Sequence, residues 1–108
     1  MRDDFSDLGR FTDVSLLILL SLSGGQRHGY AMIEDIEQFS GTLLEPGTLY
    51  GALMRLEKKG WIAALPAEDR RHPYRLTEAG MAALRIQLAT LRQLVAVGQQ
   101  RTALAGGA

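Results

Sequence analysis

The sequence predicts a mainly α protein of one domain with a small β-hairpin. Three observations carry this. Apolar residues recur at helical spacing over four separate stretches, a short run beginning at Trp61 changes to strand-like composition, and glycine or proline marks the boundaries between them. The length of 108 residues suits one domain that buries roughly two-thirds of its unfolded surface. With 46% hydrophobic and 22% charged residues, the composition is that of an ordinary globular chain, not a disordered or fibrous one.

Each element can be justified in order. Residues 1–11 are polar with little periodicity and are expected to form a flexible arm. Thr12 or Asp13 is suited to cap a first helix from Val14 to about Leu22, which Gly24-Gly25 stops. That helix is apolar nearly all round, so it belongs in a core or a subunit interface. After His28-Gly29-Tyr30, the set Met32/Ile33, Ile36 and Phe39 has helical spacing, and Glu34, Asp35, Glu37 and Gln38 face water; Ser40-Gly41 ends this second helix. Pro46 fits the first turn of a third helix, whose buried stripe is Leu49, Leu53, Leu56 and Ala52. Lys58-Lys59-Gly60 stops it, with bases in the last turn.

Residues 61–65 read as a strand, 66–73 as a polar loop, and 74–76 as a second strand, giving a hairpin with an overlong tip. Trp61, just after a helix-stopping glycine, is expected to pack in the core. Thr77 caps the last helix. Its apolar residues Met81, Leu84, Leu88, Leu91 and Val95 are spaced 3, 4, 3 and 4, a heptad seam of about two repeats, flanked by Ile86, Leu94 and Val97. Gly98 and the small residues at 103–108 suggest fraying at its end.

Charge and composition exclude several functions. There is no cysteine, so no disulfide, thiolate metal site or cysteine nucleophile is possible. The longest apolar run, residues 16–20, falls far short of the roughly 20 residues a membrane span needs, and Met1-Arg2-Asp3-Asp4 is too acidic and polar for a signal peptide. A cytoplasmic protein without membrane contact is expected. His28 and His72 are the only histidines and lie far apart without a second ligand at i+3 to i+5, which argues against a metal. No glycine-rich phosphate loop follows a strand, and Glu34, Asp35 and Glu37 form no visible catalytic pair. The sequence therefore predicts no enzyme, no catalytic residue and no cofactor.

Twelve bases balance twelve acids, but unevenly. Residues 1–54 carry three bases against eight acids (3 − 8 = −5), and residues 55–108 carry nine bases against four acids (9 − 4 = +5). A chain polarised in this way can present a basic face to a polyanion. Helix, turn, helix, hairpin and a further helix is the order of a winged helix-turn-helix. A small dimeric helical adaptor would share that order.

Three motifs narrow the choice. Arg27-His28-Gly29-Tyr30, then Glu45-Pro46-Gly47-Thr48-Leu49-Tyr50 with Arg55-Leu56-Glu57-Lys58-Lys59-Gly60-Trp61, then Tyr74-Arg75-Leu76-Thr77-Glu78-Ala79-Gly80, resemble the PadR family of transcriptional regulators over about residues 14–90. The resemblance implies a homodimeric winged-helix repressor in which the last helices pack together, in the short branch with one C-terminal helix. The chain departs from the family pattern at Glu45, where serine or threonine is frequent, at Gly51, where proline is frequent, and at the wing Asp69-Arg70-Arg71-His72-Pro73. Some members bind flat aromatic effectors between the last helices through an aromatic residue; residues 78–108 contain none, so the effector, if one exists, stays open.

On this basis residues 12–76 form the winged helix-turn-helix and 77–105 the C-terminal dimerisation helix. Expected DNA contacts are Tyr30, Gly47, Thr48, Tyr50, Gly51, Arg55, Lys58, Arg70, Arg71 and His72, the last three on the wing. Gly47 would allow close backbone approach, and Arg55 or Lys58 would reach phosphate or guanine. Leu84, Leu88, Leu91 and Val95 are expected at the dimer interface. The partner is an operator in double-stranded DNA, read by a homodimer. The alternative is a winged-helix adaptor that binds protein and not DNA.

Overall fold

The computed structural model describes residues 13–106. The expected arm over 1–11 and the alternative cap Thr12 lie outside the described residues. Helix α1 spans Val14–Ser23, strand β1 Arg27–His28, α2 Gly29–Ser40, α3 Pro46–Lys58, β2 Ile62–Ala64, β3 Pro73–Leu76 and α4 Glu78–Gly106. The fold is mainly helical with a small antiparallel sheet, as the sequence predicts.

Helix α1 is the centre of the molecule, and α2, α3, β3 and α4 all pack against it. Its uniformly apolar character follows from this: Leu16, Leu17, Ile18, Leu19 and Leu22 are all buried. Asp13 caps α1 and also ties it to the last helix. One carboxylate oxygen accepts from the Leu16 N–H at 3.0 Å, the other from the Gln87 amide at 3.0 Å. The buried Ser21 hydroxyl donates to Asp35 at 2.8 Å, and Arg27 donates to the Ser21 carbonyl at 3.2 Å. The first of these bonds satisfies the one polar side chain that α1 buries, and the second occupies its backbone carbonyl.

Helix α2 buries Met32 and Ile36 and ends at Gly41, whose φ of +75° is the left-handed conformation that glycine adopts without strain. Helix α3 begins at Pro46 without a side-chain cap from Glu45, and buries Leu49, Ala52, Leu53 and Leu56, the stripe its spacing predicts.

The sheet has three strands in the order β1-β3-β2, one more than the sequence hairpin. Arg27 pairs with Tyr74 and His28 with Pro73, while Ile62, Ala63 and Ala64 face Leu76, Arg75 and Tyr74. Two residues of β1 are too few to show a period of two. The expected eight-residue tip is also more ordered than a loop. The Leu65 N–H donates to the Pro73 carbonyl at 2.8 Å, and Glu68 and Arg71 exchange two backbone bonds of 2.8 Å around Asp69-Arg70. Both central residues have positive φ, +50° and +66°, so the wing closes in a two-residue turn of type I′ made without glycine.

Helix α4 runs for 29 residues, about 43 Å at the usual helical rise, and continues through Gly98 where fraying was expected. Its start is fixed by Thr77. The Thr77 hydroxyl donates to the Gly60 carbonyl at 2.6 Å and accepts from the Gly80 N–H at 3.0 Å, and the Thr77 N–H donates to the Trp61 carbonyl at 3.0 Å. Gly80 is buried with its Cα against that same Trp61 carbonyl, in space a Cβ would have to share with the carbonyl oxygen and the Leu76 side chain. Trp61 itself is partly buried against the core, with the Lys59 ammonium 4.6 Å over its ring.

Gly80→Ala would normally favour a helix. Here the methyl meets backbone that cannot turn aside, so a net loss of about 1–3 kcal/mol is expected, seen as a lower midpoint in thermal or urea unfolding.

Candidate nucleic-acid interface

The side of α3 opposite its buried leucines is open to solvent. Gly47, Thr48, Met54, Arg55 and Lys58 are exposed there, and Gly51 is partly so. Neither glycine is required by packing: a Cβ at Gly47 would have no neighbour within 4 Å, and one at Gly51 only the Arg55 guanidinium at an ordinary 3.7 Å. Two glycines within one helix cost stability, so a smooth strip on this face has its use outside the chain.

Tyr50 is 48% exposed, and its position explains a motif. The ring lies over Gly29, where any Cβ would collide with it, so the small residue in His28-Gly29-Tyr30 makes room for the aromatic of α3. The Tyr50 hydroxyl sits over α2's first turn, less open than a ring pointing straight to solvent would be. Tyr74 in β3 lies nearby: burial, then the charge of Glu57, then Tyr50 raise its pKa above the ordinary phenol value. Tyr74 is therefore an un-ionised packing partner at neutral pH.

Sequence reasoning missed His28. Its Nδ1 caps α2 by accepting from the Ala31 N–H at 3.3 Å, and its Nε2 lies 3.0 Å from Nη1 of Arg71 on the wing. No spacing rule could join residues 43 positions apart. The start of α2 is thus a meeting point: Tyr30 is exposed there, Tyr50 of α3 covers Gly29, and Arg71 of the wing reaches His28. Beside it a cavity of about 390 Å³ is lined by His28, Glu68, Asp69, Arg71 and Pro73. Arg70, Arg71 and His72 are all exposed.

The residues expected at a dimer interface divide. Leu84 is 2% exposed and belongs to the chain's own core with α1, and Leu91 packs partly against that core. Leu88 and Val95 are exposed, as are Ile86, Leu94 and Leu104. Leu84 is corrected from an interface residue to a core residue, because the helical face that holds the seam first has to seat α4 on α1. Among the described residues no cluster of metal-ligating side chains occurs, and no helix is long and apolar enough to cross a membrane.

A family model, the transcriptional regulator PadR-like family, matches residues 18–86. The chain belongs to this family. A PadR family transcription regulator from Clostridium difficile R20291 superposes with a TM-score of 0.74 at 28% identity, covering 81% of this chain and 95% of that one. A transcriptional regulator from Clostridium thermocellum gives 0.72 at 29% identity over 81% and 87%, and RosR of H. salinarum gives 0.69 at 28% over 96% of each chain. An uncharacterized 37.1 kDa protein in transposon TN4556 of Streptomyces fradiae is 42% identical over 85 residues, 79% of this chain. This PadR-like chain spans about a quarter of that relative's length, 25%. PadR-like proteins are a family of transcriptional regulators.

Gly51→Ala separates fold from recognition. The variant is expected to be more stable by about 0.5–1 kcal/mol, since alanine favours the helix and its methyl has room. DNA affinity measured by fluorescence anisotropy on the same preparation is expected to fall.

Proposed function

We propose that this PadR-like protein is a cytoplasmic repressor that acts as a homodimer on a palindromic operator. One observation carries the proposal: α3, the wing and the start of α2 converge through the Tyr50–Gly29 packing and the Arg71–His28 contact. A basic helix and a basic hairpin are thereby held on one surface by the protein's own contacts. In this arrangement Thr48, Gly51, Arg55 and Lys58 enter the major groove over a close-lying Gly47, Tyr30 and Tyr50 flank them, and Arg70, Arg71 and His72 engage the adjoining backbone.

The exposed end of α4 supports the dimer. Past Leu91 nearly every residue is exposed, and a lone helical extension with Leu94, Val95 and Leu104 in water has little reason to persist. Pairing with the same helix of a second copy covers Leu88, Val95 and Leu94. A two-fold dimer then places its two recognition helices on half-sites about one turn of DNA apart, some 34–36 Å.

Footprinting the protein on DNA upstream of its own gene tests the operator directly. Binding is expected to weaken steeply with salt, because phosphate contacts release counterions. Arg70→Ala and Arg71→Ala are each expected to weaken binding to all sequences and to flatten the salt slope by about one unit. A protein that gives no footprint and no salt-dependent duplex binding would be an adaptor instead.

Leu88→Asp places a charge on the exposed seam without touching the buried Leu84. Sedimentation is expected to show a folded monomer, and operator affinity is expected to collapse because two half-sites are no longer held together.

A further inference from the structure

Met54 stands out on α3. It is 72% exposed, more than any other large apolar residue described before α4. On a helix of 3.6 residues per turn it lies about 140° from Leu49 and about 160° from Leu56, squarely opposite the buried stripe. Gly47, Gly51 and Lys58 stand at i−7, i−3 and i+4 from it, on the same strip of surface. Met54 is therefore the one apolar side chain on a strip whose other members are two glycines and Lys58, with Arg55 beside it.

We infer that Met54 is a specificity-determining residue that reads thymine through its 5-methyl group, resting on the assignment of α3 to the major groove. A solvent-facing methionine beside two cations is out of place on a surface meant only for phosphates. The thymine methyl is the apolar group that base edges present in the major groove, and apolar side chains are what recognise it. With glycine at i−3 and i−7 the backbone of α3 can lie close to the groove floor, within reach of an unbranched thioether. Methionine's three rotatable bonds and polarisable sulfur let it settle on a methyl without the fixed geometry a hydrogen bond demands. Arg55 and Lys58 fix the helix by charge, and Met54 distinguishes a base between them.

The test uses duplexes selected from a random-sequence library by the full-length wild-type chain. The best duplex is remade with deoxyuridine in place of thymidine, one symmetric pair of positions at a time, which deletes only the methyl. At one position per half-site, wild-type affinity is expected to fall about threefold to fourfold per methyl, the worth of one buried methylene group. Met54→Ala is expected to keep the wild-type melting midpoint, to bind the thymine duplex as weakly as wild type binds the uracil duplex, and to show no further loss on uracil. Met54→Leu is expected to retain the preference. If no uracil position affects wild-type binding, or if Met54→Ala keeps the full preference for thymine, Met54 reads no base and the inference falls while the operator stands. If no sequence is enriched at all, the operator assignment falls and takes the inference with it.

Discussion

The geometry of the whole chain depends on a helix start pressed against a peptide bond. Thr77 uses one hydroxyl twice, donating to the Gly60 carbonyl just past α3 and accepting from the first turn of α4, while Gly80 lets that turn rest on Trp61. The end of α3, the start of β2 and the start of α4 are locked at one point. With no side chain between α4 and the backbone beneath it, the direction in which α4 leaves the winged domain has little play. Bonds from Asp13 to both Leu16 and Gln87 add a second anchor further along. A pairing made far out on α4 can then set the orientation of α3, because the lever between them is stiff.

The three sequence motifs acquire separate physical meanings from this arrangement. In His28-Gly29-Tyr30 the histidine caps α2 and the glycine admits the Tyr50 ring. In Pro46-Gly47-Thr48-Leu49-Tyr50 the proline opens the helix, Leu49 is wholly buried and Tyr50 covers α2. In Tyr74-Arg75-Leu76-Thr77-Glu78-Ala79-Gly80 the threonine and glycine make the junction just described. Much of each motif thus assembles the surface, and exposed positions of α3 such as Met54 and Arg55 are left free to meet a partner.

Helix α3 was legible because a stripe at three- and four-residue spacing has one physical explanation, a buried face, and α1 because a helix apolar all round belongs in the core. Strand β1 was not, since two residues carry no period, and it exists only because β3 offers it an edge. The wing tip misled for a related reason: Asp69 and Arg70 adopt a turn in which glycine or asparagine is the usual signal, so composition suggested an open loop. Leu84 shows a limit of heptad reasoning. An apolar seam states that a face is covered, not whether the same chain or another covers it; here the near half of the seam is covered by α1 and the far half is exposed. His28 and Arg71 meet through the fold alone.

The two contacts of His28 have a consequence of their own. A neutral imidazole offers one lone pair, yet its ring stands between two donors, the Ala31 N–H on one nitrogen and the Arg71 guanidinium on the other. Only one can be accepted at a time, so the tautomer that caps α2 turns an N–H toward the wing, and the tautomer that accepts Arg71 leaves the helix uncapped. The position of the ring proton therefore decides which of two elements, the first turn of α2 or the wing, receives the bond.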